Sequence, residues 1–439
     1  MKIASVALGK IGLPLAVKFA EKGHRVIGVD SNPTVVELVN RGIAPFPGEA
    51  HLEEKLSKLV AAGQLLATTS YAEAIPRADA VVVVVPLFVN EATWEPEFDA
   101  MESATREIAT NLTPGTLISY ETTLPVGTTR HRWKPLIEEI SGLKEGLDFD
   151  LVFSPERVLT GRVFRDLAAY PKLVGGLTER GTARGVEFYQ SVLDFFERSD
   201  LPRPNGVWDL GSAEAAEMAK LAETTFRDVN IGLANQFAKF AEQHGIDVFQ
   251  VITACNSQPY SHIHQPGIAV GGHCIPVYPR LYLWGDHDAT VVRAAREANM
   301  AMPAHAVDLA ANACGGSLTG KRVVVLGASY RGRVKETAFS GVFPTVDELG
   351  QRGAVALVHD PMFDDAELEA LGFTPYSLGE PADVALIQAD HPEYSNLGPD
   401  DLPGIEVLID GRNITDPSAW PRVKRLVLGQ AVQSATVED

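Results

Sequence analysis

The chain has few cysteines, no long apolar run and no excess of basic residues, and each of these features narrows what the protein is. Three cysteines in 439 residues cannot form a disulfide framework, so we expect a reducing, cytoplasmic location. The longest apolar stretch, 80–89, contains Pro86 and is far shorter than the ~18 residues that a membrane span needs. Lys10 and two nearby glycines interrupt the N-terminal segment, which therefore lacks the unbroken apolar core of a signal peptide.

Charge and size indicate a multidomain globular protein. Acidic residues outnumber basic residues 57 to 38, a net charge of −19, which argues against a nucleic acid or an anionic membrane as partner. Hydrophobic residues make up 45% of the chain and charged residues 22%, a composition too apolar for a disordered protein. At ~150 residues per domain, the length predicts about three domains.

Apolar runs alternate with amphipathic stretches over the first 90 residues, which predicts βαβ units and a mostly parallel sheet. The sequence predicts a helix over 13–22 and strands over 2–8, 24–30, 80–85, 117–120 and 151–153. The Pro- and Gly-rich stretch 201–212 is predicted to be a linker.

A long helical pattern begins after Ser212, a predicted N-cap, and ends at Gly245. At ~1.5 Å per residue this helix approaches ~50 Å, a length typical of helices that join two domains or pair with a second copy. Residues at steps of three and four make one face of it: Met218, Leu221, Thr225, Val229, Leu233, Phe237 and Phe240.

The opening pattern returns after Leu318. "KRVVVLGASYRG" predicts a strand ending in Gly327, and "AVALVHDP" predicts a second strand ending in Asp360. These segments match "KIASVALGKIG" and "HRVIGVDSNP" near the N-terminus. The predicted fold class is therefore α/β, with two Rossmann-like doubly wound domains joined by a long central helix and a helical region.

The loop after the first strand resembles a dinucleotide-binding fingerprint. Gly9 would let the backbone approach a pyrophosphate and Gly12 would let helix and strand pack closely, but Ala7 stands where the fingerprint has its first glycine. Asp30 follows the second strand, where a carboxylate accepts hydrogen bonds from ribose hydroxyls and repels a 2′-phosphate. The loop therefore predicts NAD as cofactor, and a tight strand-to-helix turn is the alternative.

Cys274 is the candidate nucleophile. It lies in "PGIAVGGHCIPVYP", whose glycines and prolines predict a loop. A single cysteine is otherwise a small buried hydrophobe, and we expect that of Cys255 and Cys314. Taken alone, Glu156 and Lys220 are typical of surface charges.

Together these segments resemble the nucleotide-sugar 6-dehydrogenases, the UDP-glucose/GDP-mannose dehydrogenase family. The resemblance rests on "GKIGLPLA", "YETTLPVGTT", "FSPERVLTG", "KLAETTFRDVNIGLAN" and "QPGIAVGGHCIPV", and more weakly on "LGASYRG" and "IDGRN". The sequences of the long-helix and cysteine motifs look most like those of the UDP-N-acetylhexosamine dehydrogenases, which act on UDP-GlcNAc or UDP-ManNAc.

The resemblance implies an NAD-binding domain over 1–200, a helical dimerisation domain with the cysteine loop over 201–310, and a UDP-sugar-binding domain over 311–439. It implies a homodimer and a four-electron oxidation of a primary alcohol to a carboxylate with two NAD molecules. In this reaction Cys274 forms a thiohemiacetal and then a thioester. Lys220 would stabilise the oxyanions that develop at the reacting carbon. Glu156 and Thr123 would position water and take part in proton transfer.

The resemblance also assigns binding residues, without any metal ligand. The cofactor residues are Gly9, Lys10, Ile11, Gly12, Asp30 and Thr123. The substrate residues are Glu156, Lys220, Thr224, Tyr260, Gly271, Gly272, Tyr278 and Arg331. Lys335 and Arg412 are weaker candidates for the same ligand.

Three positions depart from the family pattern. Thr224 replaces the usual Asn, Tyr278 replaces an Asp four residues after the cysteine, and Tyr260 replaces an Arg that reaches the substrate across the dimer. Because a phenol is neutral near pH 7 and cannot pair bidentately, two alternatives stay open. One is a dehydrogenase for UDP-glucose or an unusual donor, and the other is a catalytically impaired protein that still binds NAD and a sugar nucleotide.

Overall fold

A computed structural model describes residues 1–430 and divides into two compact units, one from Met1 to Ala222 and one from Glu223 onward. Each unit has its own mainly parallel sheet. Residues 431–439, the end of the third predicted domain, lie outside the described residues. Within the described part of the chain, no helix is both long enough and apolar enough to cross a membrane.

The first unit contains an eight-stranded sheet and a separate two-stranded sheet, flanked by helices. Its strands are β1 (Lys2–Val6), β2 (Arg25–Val29), β3 (Leu65–Thr68), β4 (Ala80–Val83), the short pair β5 (Phe88–Val89) and β6 (Pro96–Glu97), β7 (Leu117–Tyr120), β8 (Asp150–Phe153), β9 (Lys172–Gly176) and β10 (Val207–Asp209). Its helices are α1 (Gly12–Glu21), α2 (Pro33–Asn40), α3 (Leu52–Ala61), α4 (Tyr71–Ala74), α5 (Asp99–Thr110), α6 (Lys134–Ser141), α7 (Val163–Ala169) and α8 (Glu179–Val192), and a π-helical turn, Thr129–Trp133, directly precedes α6.

Strand order places the candidate site. The large sheet runs β10–β9–β8–β7–β4–β1–β2–β3, and every pair is parallel except β8 with β9. The order reverses at β1, which lies between β4 and β2. Ligands of such sheets bind at the carboxyl ends of the strands near this reversal. We call this side of the sheet the carboxyl edge, and it carries the residues that follow β1, β2, β7 and β8.

The central strands of this sheet are buried because helices cover them. All four residues of β4 and all four of β7 are buried. This is expected of parallel strands covered on both faces, whose sequences are continuous apolar runs. The predicted strands are found: the strand over 117–120 is exact, the one over 151–153 begins one residue earlier, and the other three end one or two residues sooner. The linker prediction is wrong for Val207–Asp209, which pairs with β9 as an edge strand. Its three residues join the sheet through backbone hydrogen bonds, although the Pro and Gly residues on either side are typical of a linker.

The long helix α9 runs from Ala213 to His244. The Ser212 hydroxyl accepts the N–H of Ala215 at 3.2 Å, which confirms the predicted N-cap. Gly245 ends the helix with φ +72°, a conformation that glycine adopts without strain. On the predicted face, Leu221 is buried whereas Leu233 and Phe240 are exposed.

The second unit contains a five-stranded parallel sheet of order β12–β11–β13–β14–β15. Its elements after α9 are α10 (Val248–Cys255), α11 (Tyr278–Gly285), α12 (Thr290–Met300), α13 (Met302–Ala313), β11 (Arg322–Leu326), α14 (Val342–Gln351), β12 (Val355–His359), α15 (Asp365–Ala370), β13 (Val384–Ile387), β14 (Val407–Asp410) and β15 (Lys424–Val427), with 3-10 turns at Pro392–Asn396 and Pro417–Ala419. Alternate residues of β11 face two cores: Val323 and Val325 pack in one and Val324 and Leu326 in the other.

The sequence repeat is also a structural repeat. In the first unit the N–H of Leu8 donates to the Asp30 carboxylate at 2.8 Å. In the second unit the N–H of Ser329 donates to the Asp360 carboxylate, also at 2.8 Å. In each sheet, an aspartate that follows one strand therefore holds the loop that follows its neighbour.

Candidate active site

The loop between β1 and α1 fits a dinucleotide pyrophosphate. A Cβ on Gly12 would lie 1.9 Å from the Ala7 carbonyl oxygen, so the close packing of helix on strand requires glycine there. A Cβ on Gly9 would meet no atom within 4 Å, which leaves the backbone open to a ligand. Ala7 adopts φ +74°, the left-handed conformation for which the fingerprint uses glycine.

The other cofactor candidates surround this loop. Asp30 is half-buried, and its carboxylate accepts the N–H groups of Leu8 at 2.8 Å and Asn32 at 2.9 Å. Lys10 is exposed, and Ile11 precedes α1 without a side-chain cap. First-turn N–H groups of such a helix are available to phosphate oxygens. The residues present therefore fit NAD, which accepts hydride at its nicotinamide ring.

A buried cluster of charged groups lies farther along the carboxyl edge. Lys172, the first residue of β9, donates to the Glu121 carboxylate at 2.7 Å and also pairs with the Glu156 carboxylate. It donates to the Ser154 carbonyl oxygen at 3.3 Å. Glu121 also accepts the Tyr189 hydroxyl at 2.6 Å. The two carboxylates follow adjacent strands, β7 and β8, and β9 brings the lysine back to the same edge.

The two carboxyl groups of this cluster differ in their electrostatics. Burial raises the pKa of Glu121 well above its usual value, since the ammonium of Lys172 compensates only in part. Burial would also raise the pKa of Glu156, but Lys172, a hydrogen bond from Glu121 and the positive charge of Lys220 together lower it. Burial opposes the charge on Lys172, yet the two carboxylates hold its pKa above the usual value.

Thr123 and Lys220 lie close to this cluster in the first unit. Thr123 is buried in the loop after β7, two residues beyond Glu121. Lys220 is buried on α9 and is only 6% exposed. One turn earlier on α9, the Glu217 carboxylate accepts the N–H groups of Gly127 at 2.6 Å and Thr129 at 2.9 Å. Glu217 thereby ties the Thr123 loop to the helix that carries Lys220.

Cys274 belongs to the second unit, in the predicted loop. It is half-buried, and its carbonyl oxygen accepts the N–H groups of Val277 at 3.2 Å and Tyr278 at 2.9 Å. This turn leads into α11, whose first residue is Tyr278. Asn235 of α9 holds the start of the loop by accepting the N–H of Gly267 at 3.0 Å.

The paired glycines of the loop pack against protein rather than open space. A Cβ on Gly271 would lie 2.5 Å from the Cβ of Tyr330, and one on Gly272 would lie 3.2 Å from the Tyr330 ring. The adjacent His273 is 3.3 Å from the Glu336 carboxylate. This packing alone explains the two glycines, and their contact with substrate stays a prediction.

The remaining candidates are spread over the second unit. Tyr260 is 92% exposed and Thr224 is fully buried on α9. Arg331 is exposed, and its Nε lies 3.3 Å from the Tyr330 hydroxyl. Lys335 pairs with Glu367, as an ordinary surface charge does. Arg412 donates to the Gln388 carbonyl oxygen at 2.7 Å, and burial lowers its pKa.

Comparison with known proteins decides the family. Three models of the UDP-glucose/GDP-mannose dehydrogenase family match the chain: the NAD binding domain over residues 1–193, the central domain over 214–301 and the UDP binding domain over 324–417. A UDP-N-acetyl-D-mannosamine dehydrogenase of Pyrococcus horikoshii is 33% identical over 423 residues, covering 94% of this chain and 96% of that protein. The chain belongs to this family.

Solved structures agree with this assignment. A UDP-D-ManNAc dehydrogenase from Pyrococcus horikoshii has a TM-score of 0.85 at 31% identity, with 98% of this chain and 99% of that chain covered. An NDP-N-acetyl-D-galactosaminuronic acid dehydrogenase from Methanosarcina mazei has a TM-score of 0.84 at 30% identity, with 98% and 95% covered. The predicted family and α/β fold class are confirmed, and the protein is an NAD-dependent nucleotide-sugar dehydrogenase.

Sequence reasoning missed Lys172 and Glu121, which form the ion-paired cluster with Glu156, and Glu217, which holds the loop after Thr123. Glu121 stands inside the quoted motif "YETTLPVGTT". Lys172 opens an apolar strand, where a lysine is unusual unless it is paired. Glu217 precedes Lys220 by three residues and so shares its side of the helix.

Proposed function

We propose that this dehydrogenase oxidises C6 of UDP-N-acetyl-D-mannosamine to the carboxylate with two molecules of NAD. The observation that carries the proposal is the similarity to UDP-N-acetyl-D-mannosamine dehydrogenases over nearly the whole chain. It supports the sugar as well as the base, since these relatives share the donor while differing in source. The third family model, a UDP binding domain, supports a UDP-linked substrate.

We propose that the glycine-rich loop, Lys10, Ile11 and Asp30 bind NAD. The uncapped start of α1 faces the pyrophosphate. The carboxylate of Asp30 accepts ribose hydroxyls and repels a 2′-phosphate, so NAD is preferred to NADP. Thr123, in the loop after β7, contributes to the same site.

We propose that Cys274 is the nucleophile of the second half-reaction. Its thiolate sulfur bonds to the aldehyde carbon while the carbonyl oxygen becomes an anion, and a thioester would form when that oxygen regains its double bond and the carbon gives its hydride to the second molecule of NAD. Lys220 stabilises the oxygen anion at the reacting carbon. Glu156 accepts a proton from the water that cleaves the thioester, and Thr123 orients that water.

We propose that the remaining sequence candidates contact the substrate. These are Thr224, Tyr260, Gly271, Gly272, Tyr278 and Arg331. Tyr278 begins α11 directly beyond the cysteine turn, and Arg331 is exposed on the loop that packs against Gly272. The phenols of Tyr260 and Tyr278 supply neutral contacts where the family has charges.

A donor panel tests the substrate. Purified protein and NAD are incubated with UDP-ManNAc, UDP-GlcNAc, UDP-glucose and GDP-mannose, and NADH is followed by absorbance. We expect the highest kcat/KM with UDP-ManNAc and two NADH for each uronate formed. Cys274→Ser should abolish thioester formation, and Cys255→Ser is the matched control. Preference for another donor would refute the sugar assignment, and binding without NADH would favour the impaired homologue.

We propose a homodimer formed through α9. Exposed apolar residues of this helix include Phe226, Leu233, Phe237 and Phe240, and at ~100° per residue these four lie within about 60° of its circumference. An exposed apolar stripe of this kind is typical of a protein interface. Light scattering should give about twice the 47.3 kDa chain mass, and Leu233→Asp with Phe237→Asp should restore the monomer.

We also propose a cytoplasmic location and the division into domains at 1–200, 201–310 and 311–439. None of Cys255, Cys274 and Cys314 is in a disulfide within residues 1–430, as expected in a reducing compartment. Fractionation of the source cells tests the location. Limited proteolysis tests the boundaries, since cleavage is expected near residues 200 and 311.

A further inference from the structure

The cluster behind Glu156 holds more ionisable groups than one ion pair needs. Glu121 is 1% exposed and Lys172 is 4% exposed. The same lysine contacts both carboxyl groups. Tyr189 closes the cluster, since its hydroxyl donates to Glu121 and lies 2.7 Å from the Ser119 hydroxyl. The ammonium of Lys172 also lies 4.7 Å from the centre of the Tyr189 ring.

Charge balance limits how these groups can ionise. Two carboxylates and one ammonium would leave a net negative charge in a nearly dry site, which is costly unless a further cation neutralises it. Two carboxyl groups that share one site usually share one proton. The Glu121 side chain is 0% exposed, whereas the Glu156 side chain is 10% exposed. The proton therefore belongs on Glu121, because removal from water disfavours a charge most at the more deeply buried group.

We infer that Lys172 and Glu121 are positioning residues for Glu156, and that Glu121 carries the shared proton while Lys172 holds Glu156 as a carboxylate. This inference rests on the proposed role of Glu156. The pKa directions agree, since Glu121 is raised and Glu156 lowered. A protonated Glu121 donates one hydrogen bond to Glu156 and still accepts from Tyr189.

The arrangement makes Glu156 an available base at neutral pH. In thioester cleavage, a water O–H bond breaks and its proton goes to Glu156, while the water oxygen bonds to the acyl carbon. The C–S bond then breaks with its electron pair on the sulfur, which leaves the carboxylic acid and the Cys274 thiolate. Without Lys172, the pKa of Glu156 would rise, and a larger share of the enzyme would lack this base at a given pH.

Two substitutions should affect the pH profile differently. Lys172→Met removes the cation, so the acidic limb of kcat should move up by about one pH unit or more, and the acyl-enzyme should accumulate. Glu121→Gln keeps a donor and an acceptor and mimics the protonated, uncharged Glu121, so the limb should stay where it is in the wild type. Lys18→Met, which breaks an ion pair with Asp194 on the outside of the same unit, should leave the limb in place.

Infrared spectroscopy tests the shared proton without substrate. In the difference spectrum of wild type minus Glu121→Gln at pH 7, both labelled with ¹³C-glutamate, the C=O stretch of a protonated carboxyl group should appear, because bands of other protonated groups such as Glu217 are common to both proteins and cancel. Absence of this band from the difference spectrum, an unmoved limb in a folded Lys172→Met variant, or a limb at lower pH in Glu121→Gln, which would show that Glu121 is charged in the wild type, would overturn the inference. If Lys172→Met does not fold, the infrared band and the pH dependence of kcat in Glu121→Gln test the inference. Failure of the wild type to make NADH from any donor would instead count against the proposed function.

Discussion

The Glu217 carboxylate accepts hydrogen bonds from Gly127 at 2.6 Å and from Thr129 at 2.9 Å, although these residues are 90 and 88 positions away in the chain. It also accepts the Thr129 hydroxyl at 2.6 Å. The loop that carries Thr123 and the helix that carries Lys220 thus share one buried acid. Burial raises the pKa of Glu217 from 4.5 to about 7.

Glu217 should make stability depend on pH. Because the folded-state pKa is the higher one, its contribution is fully present below pH 4.5 and is lost as pH rises through about 7. The free energy of unfolding of the wild type, relative to Glu217→Gln, should fall by about 3 kcal/mol over this range. Urea denaturation of both proteins at several pH values measures the difference.

Glu214→Gln is the control on the same helix. The hydrogen bond from Arg130 lowers the pKa of Glu214, so its contribution is present above its unfolded pKa and is lost as pH falls. The two variants should differ from the wild type with opposite slopes. Equal slopes would contradict the assigned role of Glu217.

Gly9→Ala and Gly12→Ala should separate cofactor binding from folding. A methyl group on Gly12 would collide with the Ala7 carbonyl oxygen, so Gly12→Ala should lower the free energy of unfolding by about 2 kcal/mol or more. Gly9→Ala meets no protein atom and should keep its stability while the Kd for NAD rises at least about tenfold. Calorimetry of folding and of NAD binding checks both. Unchanged NAD affinity in Gly9→Ala would refute the proposed pyrophosphate site.

Asp30→Asn should relax the preference for NAD. The neutral amide no longer repels a 2′-phosphate, so the ratio of kcat/KM with NADP to that with NAD should rise about tenfold, equivalent to ~1.4 kcal/mol. Asp79→Asn is the control, since Asp79 also accepts a backbone N–H, that of Lys2 at 2.7 Å, but at the opposite end of β1. A ratio that rises equally in both variants would show that the effect is not local.

Tyr260→Ala should change catalysis without changing stability. The side chain is 92% exposed, so the free energy of unfolding should change by less than about 0.5 kcal/mol. If Tyr260 contacts the sugar nucleotide as proposed, the KM for that substrate rises while the Kd for NAD does not. Steady-state kinetics at saturating NAD measure this, and an unchanged KM would remove Tyr260 from the substrate site.

Patterns local in the chain were predicted well. The strand, glycine-rich loop and helix around Gly9 depend on spacing within about 30 residues, as does Asp30 at the end of the next strand. The start of α9 at Ser212 and its end at Gly245 follow from capping chemistry alone. The edge strand Val207–Asp209 was missed because its three residues are stabilised by pairing with β9, which no local pattern reveals.

The sequence by itself determined the repeated α/β pattern, the cofactor loop and the cysteine loop, because periodicity, glycine spacing and motif wording are properties of neighbouring residues. The tertiary structure alone decided which charges meet. Lys172 reaches Glu121, 51 residues earlier, only because β9 runs antiparallel to β8 and begins at the carboxyl edge. Burial then raises the pKa of Glu121 and of Glu217, while contact with Lys172 lowers that of Glu156 against the effect of burial, since removal from water and ion pairing are properties of the folded chain.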